Sequence, residues 1–561
     1  MFADARELAE GTRLEADLCI IGGGAAGITL AREFAGGPLR VILLESGGFA
    51  MDADTQDLAA GEMTGLGYFP LNSARLRCFG GTTNHWGAVC RPFEEWDFDD
   101  DEHVPMSGWP IRMADLRPHY RKASQVCGLV GFDELSRPAS ARTFPNGLEA
   151  AFEPHVVERV PIARRRFAPN YRQQIAGARN VTAYLYANVL EIEADESVRR
   201  VVTVRATTLA RNGFTVSARA FVLAAGGIEN ARLLLLSRSR RPAGLGNDHD
   251  LVGRYFLEHP RFVAAIVLPN ERALQARMFE WRRVRRAVLQ TYIRLTPAVR
   301  KREGIGPVLV RLEPVYSYGT DIRRSPGVLS LRSAVRSPRH DDDIAHDIAT
   351  VFADLTTWQR GAIPGAPIPV PRPELVREAL RSPRTIKAHL PELVGDIPTY
   401  AYSKLGGSRP VERIRVTTIV VPAPNADSRV SLGEERDALG QPRCRLDWRL
   451  TPADYRSVRR TMEIFGAELG RLGAGRLRLL LDRDERVWPE DLHGGFHHMG
   501  TTRMSDDPRR GVVDPRCRVH GLANLYVAGS STFATAGSGT PTLALVALAL
   551  RLADNLKETL A

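Results

Sequence analysis

The sequence predicts an α/β plus α+β protein: a Rossmann-like nucleotide-binding domain assembled from separated stretches of chain, with a second domain of short alternating strands. Three observations lead there. An apolar strand, a glycine-rich turn and a helix open the chain from Asp17; a strand running into glycines and then a helix returns twice further on; and between about residues 262 and 490 the pattern shortens to alternating strands. The 561 residues suit such a division, because single hydrophobic cores stop growing near ~250–300 residues.

Taken in order, Leu18–Ile21 is an apolar run of strand length, and Ala25–Phe34 carries apolar residues at helical spacing. Between them Gly22-Gly23-Gly24-Ala25-Ala26-Gly27 fits GxGxxG: the glycines of that pattern permit a tight turn, close backbone approach to a pyrophosphate, and close packing of helix on strand. Val41–Leu44 is the second strand and ends in Glu45, eighteen residues after Gly27. An acid there can bond a ribose hydroxyl pair and argues against a 2′-phosphate, so FAD and NAD are the two candidates. A mixed segment follows to about residue 175, with a tight turn at Gly80 and Gly81 and a helix whose start Pro110 sets, running through Leu116, Tyr120 and Ala123. TVSARAFVLAAGG reads as a strand entering glycines, followed by a helix from near Glu229. Ser428–Leu432 and Arg443–Arg449 read as strands, HDDDIAHDIATVFADLTTW (340–358) as an amphipathic helix, and Pro364–Pro373 as an extended proline-rich connector. Leu525–Ala528 returns to strand and Thr542–Leu556 to helix.

Composition removes several function classes. Hydrophobic residues at 44% and charged residues at 25% are ordinary globular values, which exclude a disordered or collagen-like chain. The net charge of +11 comes almost wholly from arginine, with five lysines among 76 basic residues, spread along the chain without a basic stripe interleaved with aromatics; no nucleic-acid partner is expected. The opening MFADARELAEGTRLEADLCII has no basic region before an apolar stretch, which predicts the cytoplasm, and Thr542–Ala553, with Arg551 inside it, is too short for a membrane span. Six cysteines stand singly, without ligand spacing, so neither a disulfide framework nor a metal site is expected.

LRCFGGTTNHWG, SGWPI, VLAAGGIENARLLL, VGRYFLEHP, HHMGTTRM and LYVAGSSTFATAGSGTPTLALVALALRLAD follow in that order over nearly the full chain. With them the sequence resembles the glucose-methanol-choline (GMC) family of FAD-dependent oxidoreductases, closest to its pyranose 2-oxidase and glycoside 3-oxidase or 3-dehydrogenase branch. The resemblance implies FAD rather than NAD, and an FAD-binding domain over 1–70, 176–261 and 491–561. It also implies an antiparallel-sheet substrate domain over 71–175 and 262–490, with an insertion around 320–402. His497, the first residue of HxxGTxRM, takes the family's place of general base; alcohol oxidation needs such a group, since the hydroxyl proton must leave as hydride moves to flavin N5. His498, His493 and His520 are expected to be structural. The second catalytic position falls on Thr540, where the branch usually carries asparagine, and threonine cannot act as a second base. Thr540-Pro541-Thr542 also reads as N-cap and first turn of the last helix, whose N-terminus would stabilise negative charge on the reduced flavin.

Cofactor contacts carried over are Gly22, Gly24, Ala25, Ala26, Gly27, Glu45, Gly81, Thr82, Asn84, His85, Val189 at adenine, Gly529 and Ser530 at the second pyrophosphate contact, Thr540, Pro541 and Thr542. Gly226 and Gly227 look like the close-approach turn near the dinucleotide. His85 matches the histidine that in pyranose 2-oxidase is bonded to the flavin 8α-methyl group; other relatives bind FAD without a bond, and both states stay open. The implied reaction is oxidation of an alcohol on a sugar or glycoside to a ketone or aldehyde, with dioxygen, a quinone or a protein as acceptor. Two alternatives remain: a flavin-binding protein that serves electron transfer or assembly, and lyase chemistry using the same base.

Overall fold

The computed structural model describes residues 1–135, 147–270, 279–316 and 411–561. The helix expected at 340–358, the connector at 364–373 and the insertion around 320–402 lie outside the described residues.

The α/β part is an eight-stranded sheet in the order Phe2–Asp4, Val181–Leu185, Val41–Leu44, Thr12–Ile21, Gly213–Leu223, Val201–Thr207, Asn188–Ala194, with Leu525–Val527 beside Gly213–Leu223. The first five strands and Leu525–Val527 pair in parallel. Their apolar runs fit a sheet covered on both faces. Helix Ala25–Phe34 and the last helix, Pro541–Leu560, pack together over this sheet, and Met113–Cys127 lies against the latter. The last helix is apolar nearly all round, burying Leu543, Val546, Leu548, Leu550, Leu552 and Leu556 among others. A helix with no polar face belongs in the interior. The strand expected at Leu18 begins at Thr12, because residues 12–16, polar at Thr12, Arg13 and Glu15, still find ladder partners in Phe214–Ala218. The helix expected from Pro110 begins at Met113: the Asp115 carboxylate accepts from the Arg112 N–H at 2.8 Å and sets the start there.

The α+β part is an antiparallel sheet ordered Gly475–Leu479, Arg261–Pro269, Val411–Val420, Val308–Tyr316, Ala287–Leu295, Phe152–Arg159, Val89–Cys90. Pro452–Arg471 covers it with Val458, Met462, Phe465 and Leu469. A third, small sheet pairs Gly61–Gly65 with Pro442–Trp448, and its Cys444, Leu446 and Trp448 join the core of the α/β part. All six cysteines are buried free thiols. Among the described residues no helix is long and apolar enough to cross a membrane.

Candidate active site and dinucleotide cradle

Strands Thr12–Ile21, Gly213–Leu223 and Leu525–Val527 run parallel, so their carboxyl ends finish on one edge of the sheet, where open parallel sheets hold ligands. Each leads into glycine. A side chain on Gly24 or Gly226 would meet no atom within 4 Å, and on Gly529 only the Cβ of Ala26 at 4.0 Å. Three glycines from distant segments therefore leave open space along one sheet edge. Gly22 and Gly27 serve packing instead: a Cβ on Gly22, whose φ is +110°, would stand 2.7 Å from the Ala224 carbonyl oxygen, and one on Gly27 would run into the Gly22 carbonyl. Ala25 and Ala26 form the first helical turn behind Gly24, whose lack of a side chain leaves the first N–H groups to an anion.

Glu45 is buried at the end of its strand. Its carboxylate accepts from Gly23 N–H at 2.7 Å and Gly47 N–H at 3.0 Å, and burial raises its pKa. Its carbonyl accepts from Ala187 N–H at 2.9 Å, which brings the Asn188–Ala194 strand, and with it Val189, beside the acid. Asn188 Oδ1 is buried there without a partner. The turn at 80–84 packs on the glycine loop, Gly80 N–H donating to the Gly23 carbonyl at 2.8 Å and Gly81 lying against Gly24. Thr82 accepts from the His85 N–H. The Asn84 amide donates to the Phe79 carbonyl at 3.0 Å and so braces this turn. The His85 ring stands 6.4 Å from that of Phe496. Ser530 donates its hydroxyl to the His498 carbonyl at 2.7 Å, and Gly227 packs against that same carbonyl. The open glycine edge, the buried acid and the orphaned Asn188 oxygen fit a dinucleotide such as FAD.

His497 lies beside the glycine-bearing segments, since the carbonyl of the next residue, His498, packs on Gly227 and accepts from Ser530. The His497 side chain keeps 15% exposure. Burial and the neighbouring His259, Arg261 and His498 hold its pKa well below the ordinary value, so it is neutral at pH 7. The His259 ring meets it edge-on, with Nδ1 to Nδ1 at 2.7 Å, and His259 Nε2 lies 2.9 Å from the Gly537 carbonyl. Glu258 is fully buried. It accepts from His259 N–H at 2.7 Å, from His497 N–H at 3.0 Å and from the Tyr68 hydroxyl at 2.5 Å, and stands 4.0 Å from His497 Nδ1. Tyr68 in turn meets His498 Nε2 at 3.0 Å. Phe496, at φ +60° and 42% exposed, stacks on Phe69 at 4.4 Å. His493 and His520 face backbone carbonyls of Asp491 and Ser505.

Thr540 is the N-cap residue, with Pro541 at N1 and Thr542 next, but its side chain does not cap the helix. That expectation is corrected: the hydroxyl donates to the Val89 carbonyl at 2.6 Å, because Val89–Cys90 passes alongside the helix start. With its proton committed, Thr540 can accept a further hydrogen bond but not donate one. The loop before it is held independently, since buried Asp97 accepts from Ser538 N–H and hydroxyl at 2.8 and 2.9 Å.

Glu258, His259 and Tyr68 were given no role from sequence. The signal for the first two was present in VGRYFLEHP, where an acid and a histidine adjoin in an apolar run; nothing local marks Tyr68. Asn230 is a further case: its side chain bonds Ala225 N–H, the Ala528 carbonyl and Ser531, joining the ends of two parallel strands.

Residues 17–243 match the family described as FAD dependent oxidoreductase and residues 424–549 that described as GMC oxidoreductase; together they cover more than half of the chain. Paromamine 6'-oxidase of Streptomyces fradiae is 24% identical over 96% of this chain and 90% of its own length. C-glycoside 3-oxidase of Arthrobacter globiformis is 34% identical over 22% of this chain and 23% of its own. Among solved structures, pyridoxine 4-oxidase from Mesorbium loti superposes with a TM-score of 0.52 over 97% of this chain and 99% of that one at 17% identity, a likeness of fold.

Proposed function

The chain is an FAD-dependent GMC oxidoreductase acting on CH–OH donors, and on that premise we propose that it oxidises a hydroxyl group of a sugar or glycoside with His497 as the base. FAD, when bound, supplies the acceptor for the hydride that leaves the carbinol carbon. His497 takes the hydroxyl proton, so the two electrons of the C–H bond leave with hydrogen and the product is a carbonyl. The observation that carries this reading is a neutral, partly accessible imidazole beside the open glycine edge, with a carboxylate 4.0 Å from its far nitrogen. Gly24 with the N–H groups of Ala25 and Ala26, Glu45 and Val189 would hold the pyrophosphate and adenosine end, on a turn that Gly22 and Gly27 allow to pack. The turn at 81–85, Gly529, Ser530 and the start of the last helix would border the rest.

The sugar class rests on two supports. Relatives named for aminoglycoside and glycoside oxidation align with the chain, and exposed Phe496 stacks on half-buried Phe69 next to the base, a surface suited to the C–H face of a pyranose ring. Six buried thiols support a reducing compartment, the cytoplasm. The division into an FAD-binding unit (1–70, 176–261, 491–561) and a substrate unit (71–175, 262–490) belongs to the same proposal. The test is anaerobic mixing of the holoprotein with aminoglycosides, hexoses and C-glycosides: a substrate bleaches the flavin band, and His497→Ala slows bleaching on the order of 10³-fold with FAD retained. No bleaching with any sugar removes the substrate class; equal rates in His497→Ala remove the base.

A further inference from the structure

We infer that His259 is a positioning residue that fixes the proton of His497 on Nδ1 and thereby leaves Nε2 as the bare, proton-accepting nitrogen. The inference rests on His497 being the base and adds how that base is kept in its working form.

The argument is one of donors and acceptors. A backbone carbonyl can only accept, so the 2.9 Å contact of His259 Nε2 with the Gly537 oxygen requires a proton on Nε2. Burial pushes the His259 pKa down to about 4, so the ring is neutral near pH 7 and has no second proton; its Nδ1 is therefore an acceptor. The 2.7 Å contact between the two Nδ1 atoms is then a hydrogen bond only if His497 donates. His497 carries one proton, it lies on Nδ1, and Nε2 holds the lone pair. A free imidazole prefers the opposite arrangement, with the proton on Nε2, so the working tautomer has to be imposed from outside the ring. Glu258 holds the backbone N–H of both histidines and so fixes the main-chain positions from which the two rings meet. The Gly537 carbonyl that begins the relay sits next to Ser538, which Asp97 clamps, and three residues before the N-cap of the last helix. The same loop that leads into the cofactor-facing helix thus sets the direction of the base.

When the substrate proton arrives at Nε2, His497 holds a proton on each nitrogen, the Nδ1–H still bonded to His259 and the buried Glu258 carboxylate 4.0 Å away. No second proton movement is needed. His259 stays neutral throughout.

The test uses the full-length holoprotein with ¹⁵N-labelled histidine rings, His497 being assigned by difference from His497→Ala. The expected spectrum at pH 7 shows a directly bonded proton on His497 Nδ1 and the shift of an unprotonated nitrogen at Nε2. His259→Leu removes the acceptor: the His497 proton moves to Nε2 in most molecules, and anaerobic flavin reduction slows on the order of 10²-fold while substrate affinity is little changed. His259→Asn places Oδ1 where Nδ1 stood, restores the Nδ1 proton and brings the rate back to within about tenfold of the parent. A parent spectrum with the proton on Nε2 overturns the inference even if no substrate is known, and so does a His259→Leu protein with unchanged His497 shifts. If the Leu variant does not fold, the parent and Asn spectra decide alone. A protein that shows the Nδ1 tautomer but oxidises no alcohol would leave the tautomer assignment standing and remove only the reaction.

Discussion

Glu258→Gln isolates the one buried charge beside the base without changing the shape of the site. In the parent the carboxylate stands 4.0 Å from His497 Nδ1. Two unit charges at that distance attract by ~4 kcal/mol at an effective dielectric constant near 20. If about half of the imidazolium charge has developed when the C–H bond breaks, the carboxylate stabilises the transition state by ~2 kcal/mol, and its neutralisation slows flavin reduction about 30-fold. Burial raises the Glu258 pKa, and the hydrogen bonds it accepts from the Tyr68 hydroxyl and from the backbone N–H groups of His259 and His497 work against that rise and favour the carboxylate; a glutamine amide would have to turn its NH₂ toward one of the donors now satisfied. Loss of one charge-assisted hydrogen bond costs a further ~1.5–3 kcal/mol of stability, visible as a lower melting temperature. The assay is anaerobic stopped-flow reduction with saturating substrate beside a thermal melt of the same preparation, both at pH 7 with FAD stoichiometry checked. A Glu258→Gln enzyme that melts lower but reduces its flavin within twofold of the parent rate would refute the electrostatic argument and leave Glu258 as a clamp on the backbone.

Glu45→Ala removes the acceptor that holds Gly23 and Gly47, and is expected to lose FAD on dialysis where the parent does not; full retention with the flavin not covalently bound would mean that the ribose contact contributes little. Gly24→Ala adds a Cβ to space that is otherwise open, with no atom within 4 Å to clash against, so it should fold and bury the same core yet hold flavin more weakly than the parent; a Gly24→Ala protein that retains flavin on dialysis as fully as the parent would place the cofactor elsewhere. His498 has its pKa pushed down to about 3 by burial. The unfolded chain binds its proton below about pH 6.5 and the folded chain does not, so the parent loses stability relative to His498→Gln as pH falls from 6.5 toward 4, at up to ~1.4 kcal/mol per pH unit. Parallel melting curves for the two proteins across that range would contradict the assigned burial. Acid precipitation decides whether His85 is bonded to the flavin, a yellow pellet meaning a bond and a yellow supernatant none.

What the sequence determined by itself is the part whose chemistry is local. A GxGxxG turn between an apolar strand and an apolar helix has one economical geometry, since Gly27 must let the helix touch the Gly22 carbonyl and Glu45 must follow at the end of the neighbouring strand, and the backbone obeys both. The apolar run of the last helix likewise announces its burial, and the motif order from LRCFGGTTNHWG to HHMGTTRM is enough to identify the family and to single out His497 as the proposed base. Only the tertiary structure decided what that base touches. His259 and His497 lie 238 residues apart and meet because the two irregular segments that carry them are joined by antiparallel bridges on either side, Leu257 to Met499 and Arg261 to His493. Thr540 spends its hydroxyl on Val89, 451 residues away, rather than on its own helix. A proton on an imidazole is assigned by the partner of its other nitrogen, and that partner is chosen by packing across the fold, where no spacing along the chain records it.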